Sequence, residues 1–234
     1  MLKKTVALGS IVTALCGVTE ANTGCHYKSG WLVGAHVGAS FGKHDFTGTA
    51  SAPGVSQTGK KSANKTAAVL GLFGGYRQIF NDGITLAAIL EGNLYTTNNA
   101  NATVRLFNTD FVNNAHRNYS FIPNIQIGKI FCSRYHVYLG LGLGISNIKT
   151  KASVPNTPFS VSASKTRVGF VPSVGFEYAA TQNVSLLANV GYEIYGNSKK
   201  AFNLPNPPFA AGSGYAQSVK QNYWTVKIGA AYRF

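Results

Sequence analysis

The chain closes on YWTVKIGAAYRF, residues 223–234, and the reading of this segment decides the fold. Trp224, Val226, Ile228, Ala230, Tyr232 and Phe234 share one parity. Tyr223, Thr225, Lys227, Gly229, Ala231 and Arg233 share the other. A helix would scatter both sets around its axis, whereas a strand sorts them onto two faces. One face is apolar and tipped with aromatic rings. The other carries a lysine, an arginine, a threonine and small residues. Such a segment is a wall between oil and something wetter.

The same alternation recurs upstream. Trp31, Val33, Ala35, Val37, Ala39 and Phe41 face one way in a first strand. A second strand runs over about 66–77, where Val69-Leu70-Gly71-Leu72-Phe73 blurs the parity and leaves its orientation open. In a third, Ile84, Leu86, Ala88, Leu90 and Leu94 oppose Glu91 and Asn93. Three more are centred on Tyr119–Ile127, Tyr135–Ile145 and Val168–Tyr178, and Val184–Ile194 precedes the closing segment. Eight strands need seven connections. Three are short: Asn81-Asp82-Gly83, Cys132-Ser133-Arg134 and Thr181-Gln182-Asn183. Four are long, near 44–64, 98–117, 149–164 and 197–218, and rich in Asn, Ser, Thr, Gly, Pro and Lys. An even number of strands, with short turns at one end and long loops at the other, predicts an all-β, eight-stranded antiparallel transmembrane barrel. A soluble lipocalin-like barrel, apolar inside, is the main competing architecture. Glycines 140, 142 and 144 opposite Leu139, Leu141 and Leu143 favour an apolar exterior and a crowded interior.

Composition agrees. Charged residues make up 12% of the 234-residue chain, about half the usual share, beside 26 Gly, 12 Tyr and 14 Phe. Residues 1–21 read as an export signal, with Lys3 and Lys4 ahead of the apolar stretch Val6–Val18 and a cleavage site at Thr19-Glu20-Ala21. Leu15 before Cys16 argues against lipidation at that cysteine. No later run is long and apolar enough for a membrane helix, so any span must be made of strands. The expected organisation is a signal at 1–21, a periplasmic tail at 22–29 and a barrel at 30–234.

With LFGGYR at 72–77, the alternating strands, the signal and a terminal Phe234 in view, the chain resembles the small eight-stranded outer-membrane barrels of the OmpA/OmpX and opacity-antigen type. The resemblance implies the outer membrane as location and the surrounding lipid and lipopolysaccharide as partners. It also implies recognition of Phe234 and Tyr232 by the barrel-assembly machinery. A monomer is expected. The family's motifs define architecture and leave activity open.

Eight strands enclose a lumen just wide enough to be filled by side chains. The inward parity places Glu91, Glu177 and Glu193 there with Arg167 and Lys227. An ion-pair and hydrogen-bond network is expected, because an unpaired charge in that space would be costly. Arg233 is expected to lie too near the end to join. A small gated pore is the alternative use of these charges. A lipid-modifying enzyme is a further one, but His36, Ser40, His44, His116 and Asp110 form no ordered triad. No catalytic residue, metal cluster or cofactor is expected. Cys25 and Cys132 both fall at the periplasmic end, in an oxidising compartment, and are expected to form a disulfide.

The full chain carries a formal charge of +14, and losing the two lysines and one glutamate of the signal leaves +13. Lys60, Lys61, Lys149, Lys151, Lys199 and Lys200 place much of it in the long connections. A basic crown of this kind attracts lipopolysaccharide phosphates or anionic host glycans. Specific nucleic-acid binding is not expected, since no recognised nucleic-acid fold accompanies the charge. Phe159, Phe202 and Phe209 are either exposed contact points or packing between loops.

Overall fold

The computed structural model describes residues 27–96, 100–157, 159–204 and 211–234. Nine strands follow in order: β1 (Gly30–Ala52), β2 (Val55–Ile79), β3 (Ile84–Tyr95), β4 (Ala100–Leu106), β5 (Thr109–Phe131), β6 (Tyr135–Ser153), β7 (Ser160–Ala179), β8 (Val184–Asn203) and β9 (Gly214–Arg233). Each pairs antiparallel with its neighbours. β1 also pairs with β9, and β3 with β5, which closes a ring of eight. β4 continues above β3 and pairs only with β5.

The lower part of the ring has the polarity of a membrane protein. Outward positions such as Val37, Leu72, Leu90, Ile125, Leu139, Val168, Leu186 and Ile228 are exposed. Between them, on the inward parity, lie His36, Asn93, Gln126, Glu177, Asn189 and Lys227, all buried. Aromatic rings mark both ends of the apolar band. Trp31 packs edge-on to Tyr76, 5.5 Å between centroids, and Tyr232 on Phe234 at 5.2 Å. Higher up, Phe41 and Trp224 are cross-strand partners, and Trp224 lies 4.6 Å from Tyr192. Ten residues separate Trp31 from Phe41, and a tilted strand of that length covers about 25 Å of hydrocarbon. β2 takes its place here too. Leu70, Leu72 and Tyr76 face lipid, while Val69 and Arg77 are buried inside. Its parity was illegible because Phe73 also turns inward, against Leu32, Ala87 and Ile89.

Above the upper belt most of the described residues of the four long connections are strand rather than loop, which corrects the sequence expectation. β1 and β2 run on to Ala52 and Val55 and turn at Pro53-Gly54, with Gly54 at φ +75°. β4 and β5 turn at Phe107 and Asn108, both at positive φ, the signature of a tight primed hairpin turn. β6, β7, β8 and β9 extend likewise. At 23 residues β1 has about twice the length needed to cross the hydrocarbon.

Two ladders stop where this extension begins. β2 pairs with β3 only up to Val69↔Tyr95. β7 pairs with β8 only up to Gly169↔Tyr195. Above those points the ring splits into two four-stranded sheets, β2-β1-β9-β8 and β4-β5-β6-β7. Their facing sides bury Ala50, Val104, Leu106, Phe111, Ala152, Val154, Phe159 and Tyr215 in one cluster. Phe46, Ala100, Ala102, Ala115 and Val219 form a second. The outer half is therefore a β-sandwich with an apolar core, standing on a barrel with a polar one.

Candidate functional site

The lumen is built in tiers by alternate residues of facing strands. At the base, the Glu177 carboxylate on β7 accepts from Arg77 Nη2 at 2.7 Å and from Ser185 Oγ at 2.5 Å. His136 Nδ1 lies 3.4 Å away and Arg233 Nη1 3.9 Å. Tyr27, ahead of β1, closes the base. Its hydroxyl donates to the Glu177 carbonyl at 3.1 Å, and the Arg233 guanidinium stacks 4.2 Å from its ring centroid. Burial and the Glu177 charge push the Tyr27 phenol up. Gly175 sits where a side chain would collide with the Tyr138 ring, so the chain fills this level with one residue by emptying another.

In the middle tier, Glu91 accepts from Lys227 Nζ at 2.5 Å and from Asn93 Nδ2 at 2.6 Å. His36 Nε2 lies 2.7 Å from Asn93 Oδ1 and 3.9 Å from Glu91. Between the lower two tiers is a cavity of about 30 Å³, lined by residues that include Arg77, Glu91, Glu177 and Lys227. That is room for a water or two and too little for a solute. In the upper tier, Glu193 pairs with Arg117 and accepts from Tyr195 Oη at 2.8 Å, while Arg117 Nη2 donates to Ser40 at 2.9 Å. Tyr95 and Tyr223 hold the Arg117 guanidinium between their rings, at 3.5 and 4.0 Å. Directly beyond begins the sandwich core, where Phe111 stacks on Tyr215 at 4.3 Å. Burial pushes the Tyr215 phenol up, and it donates to Asn113 Oδ1 at 2.9 Å.

Of the residues expected in this network, Glu91, Glu177, Glu193 and Lys227 face the lumen and are ion-paired. Arg167 is not with them. It stands two residues above the last β7–β8 pair, so its inward parity leads into the split, where Nη1 donates to the Asn197 carbonyl at 3.1 Å. Three arginines take its place. Arg77 lay on the strand whose parity could not be read. Arg117 falls at the end of the segment 98–117 expected to be a long loop, although β5 runs through it. Arg233 was set aside as terminal, yet it is buried at the base. Arg117 stands at odd spacings from the inward residues Ser120, Asn124 and Gln126, because a bulge between Arg117 and Tyr119 shifts the parity of β5, so simple alternation carries no signal for it.

His36 and Ser40 belong to separate tiers, bonded to Asn93 and Arg117 respectively. His44 is buried between Phe46 and Tyr223, and burial pushes its imidazole down to about 4. His116 is held below its ordinary value by partial burial beside Lys149. Asp110 makes only a long ion pair with Arg105 at 4.0 Å, both exposed. Among the described residues no three His, Cys, Asp or Glu side chains gather as a metal site.

Lys60, Lys61, Lys149, Lys151, Lys199 and Lys200 are all exposed, on β2, β6 and β8 rather than in loops. Phe159 is buried in the sandwich core and Phe202 packs against it, so both serve packing. Phe209 lies outside the described residues. Phe234 is exposed at the foot of the barrel, and its amide donates to the Trp31 carbonyl at 3.0 Å. Cys132, in the β5–β6 turn, is disulfide-bonded. Cys25, its expected partner, and the export signal fall outside the described residues.

A closed antiparallel ring, apolar outside, paired and polar within, and girdled by aromatic rings at both ends, is an outer-membrane barrel. The chain belongs to the outer membrane protein beta-barrel domain family. The family match spans residues 10–234, nearly the whole chain, and places it in the outer membrane. No curated protein sequence matches it. Among solved structures, the outer membrane protein OprG from Pseudomonas aeruginosa is 19% identical with a TM-score of 0.56, covering 89% of this chain and 97% of that one. The outer membrane protease OmpT from Escherichia coli is 8% identical with a TM-score of 0.52, covering 89% and 99%. Neisserial surface protein A is 19% identical with a TM-score of 0.39, covering 84% and 97%. At these identities the likeness to OprG and OmpT speaks for the fold alone and leaves activity to this chain's own residues.

Proposed function

We propose that this outer-membrane barrel is a non-conducting, non-enzymatic surface protein whose task lies on its basic exterior. There it binds anionic polymers: the phosphates of its own lipopolysaccharide and, in adhesion, sulfated or carboxylated host glycans. The observation that carries this reading is the filled interior. Three tiers of paired charge and a stacked aromatic core leave cavities of water size only, so neither solute passage nor a substrate pocket has room in the lumen. The exposed lysines have no such constraint. Six of them stand on strands of both sheets, held apart by rigid ladders, with the remaining net positive charge to steer anions toward them.

The test is display of the folded protein on a poorly adherent bacterium, beside a variant with Lys60, Lys61, Lys199 and Lys200 changed to Gln. Folding is checked by heat-dependent gel mobility. The expected result is attachment to glycan-bearing cells that drops in the variant and in high salt. Equal attachment by both forms would refute the lysine-based reading. Steady ion conductance of the purified protein in a planar bilayer would refute the sealed lumen.

A further inference from the structure

The two splits in the outer ring differ. The β2/β4 split is stitched along its length. Thr96 and Ala68 exchange hydrogen bonds at the foot, two contacts of 3.0 Å. The Phe107 amide donates to Gln57 Oε1 at 2.5 Å near the tip. Between them, Gly59 lies against Val104 and Leu106, and Ala63 packs on the Phe46 cluster. The β7/β8 split has a single described hydrogen bond, Arg167 to the Asn197 carbonyl, at its foot, while near its tip Val161 of β7 and Phe202 of β8 pack on the Phe159 cluster. Above that bond β7 continues in strand conformation to Ser160 and β8 to Asn203, each paired, among the described residues, on its far side only.

The sequence explains why this ladder stops. Continuing the register Gly169↔Tyr195 upward across the extra residue of β8 between Tyr195 and Ser198 would set Lys165 opposite Lys200, with Lys199 beside it. Like charges directly opposed destabilise a strand pair. β8 also carries a bulge between Tyr195 and Ser198, which turns its edge away. β7 has no bulge against β6 over residues 160–168, so its free edge is regular. That edge reads Ser160-Val-Ser-Ala-Ser-Lys-Thr166, with no proline, and alternate residues turn their main-chain groups to the open side.

We infer that the free edge of β7, Ser160–Thr166, accepts an extended acidic polypeptide segment as an added strand within the β7/β8 split. Main-chain hydrogen bonds to β7 supply the pairing. Carboxylates on the guest meet Lys165 from one side and Lys199 and Lys200 from the other, which removes the repulsion that holds the split open. A second copy of this chain is a poor occupant, because its own β7 and β8 edges would bring lysine to lysine. A sulfated glycan offers the charge but no main-chain donors or acceptors for the edge.

The experiment uses the full chain in lipid nanodiscs and an end-blocked peptide of alternating Glu and Val, about eight residues long. Binding is followed by fluorescence anisotropy, and amide exchange by mass spectrometry over 160–168. The expected result is saturable binding with slowed exchange at 160–166. A peptide N-methylated on alternate residues should bind at least about tenfold more weakly, the loss of one or two net hydrogen bonds. Equal binding by the methylated peptide would overturn strand addition and leave plain charge attraction. Equal slowing of exchange by a heparin oligosaccharide would overturn the choice of a polypeptide. Lys200→Glu replaces the like pair with an opposite one. It should slow exchange at 160–166 without peptide and abolish peptide binding. Lys129→Glu, the same charge change at the opposite, lower end of β5, should leave binding within about threefold, as expected for a distant exposed charge. Equal loss in both variants would overturn the site.

Discussion

The two halves of this molecule are the same strands turned inside out. Below the Phe41–Trp224–Tyr192 belt, side chains facing out are Leu, Ile, Val and Phe, and those facing in are Glu, Arg, Lys, Asn and His. Above it, Lys60, Lys149 and Lys151 face out, and Phe46, Val104, Leu106 and Phe111 are buried. The strands do not change. The solvent outside them does. In lipid the wall must be closed, because an unpaired main-chain group facing hydrocarbon costs several kcal/mol. In water a strand edge can be left to solvent, so the ring is free to split into two sheets and close on a dry core. The difference predicts that each half breaks by its own rule.

The largest effect is expected at the base. Glu177→Ala leaves Arg77, Arg233 and His136 around an empty place, and removing one partner of a buried ion pair costs about 3–5 kcal/mol. The variant should lose heat-dependent gel mobility at a lower temperature, and its urea midpoint in lipid vesicles should fall. Replacing Glu177 and Arg77 together by Leu and Met should recover much of the loss. If the double variant is no better than the single one, the penalty does not come from stranded charge.

Next comes the sandwich. Phe111→Ala removes a ring stacked on Tyr215 in the apolar core, and such truncations cost about 3–5 kcal/mol where the core cannot collapse. The loss should be confined to the outer half. Amides of 100–115 and 215–219 should exchange faster, while those of 30–40 in the membrane wall stay protected. Uniform loss of protection would mean that the halves unfold as one unit, against the independence their opposite polarities suggest.

How much of this could be read in the sequence depends on the polarity expected of a strand. Apolar-out alternation exposed the membrane wall at once, and it placed Glu91, Glu177, Glu193 and Lys227 inside. The outer half carries the same period with the signs reversed: Ala100, Ala102, Val104 and Leu106 alternate with Asn101, Thr103 and Arg105. Its inward residues are mostly small, because two sheets close tightly there, and its outward ones are Asn, Ser, Thr and Lys. Both features look like loop composition. Arg117 was lost for that reason, and Arg77 because Phe73 and Val69 line the lumen beside it. Arg167 was misplaced by the opposite error, extending a parity past the point where the ladder ends. The split itself depends on Lys165 meeting Lys200, a pairing visible only once the register and the β8 bulge are known.

A third contrast sets one outward position against another. Leu139→Arg puts a charge on the lipid face of β6 and should cost about 2–4 kcal/mol near the midplane. Lys151→Leu, on the same face of the same strand twelve residues on, exchanges one exposed side chain for another. It should stay within about 0.5 kcal/mol. Refolding into vesicles followed by urea titration measures both. Similar penalties at the two sites would move the membrane boundary.

The smallest expected effect is a matter of pH, at the junction of the halves. His44 sits at the lower rim of the sandwich, buried by Phe46 and Tyr223, and Nδ1 has no hydrogen-bond partner. Burial, and then the nearby Arg117 charge, push its imidazole down to about 4, against roughly 6.5 in an unfolded chain. Above pH 7 both states are neutral and the folded state has its full stability. As the pH falls below about 6.5 the unfolded chain takes up a proton that the folded one refuses, so stability is lost down to about pH 4 and then levels off. At pH 5 the loss from this group is about 2 kcal/mol. His44→Gln, with no ionisable ring, should flatten that part of the profile for exchange of amides 44–50, while leaving the Glu177 tier unaffected. A profile equally steep in the variant would assign the acid sensitivity to the carboxylates of the membrane half.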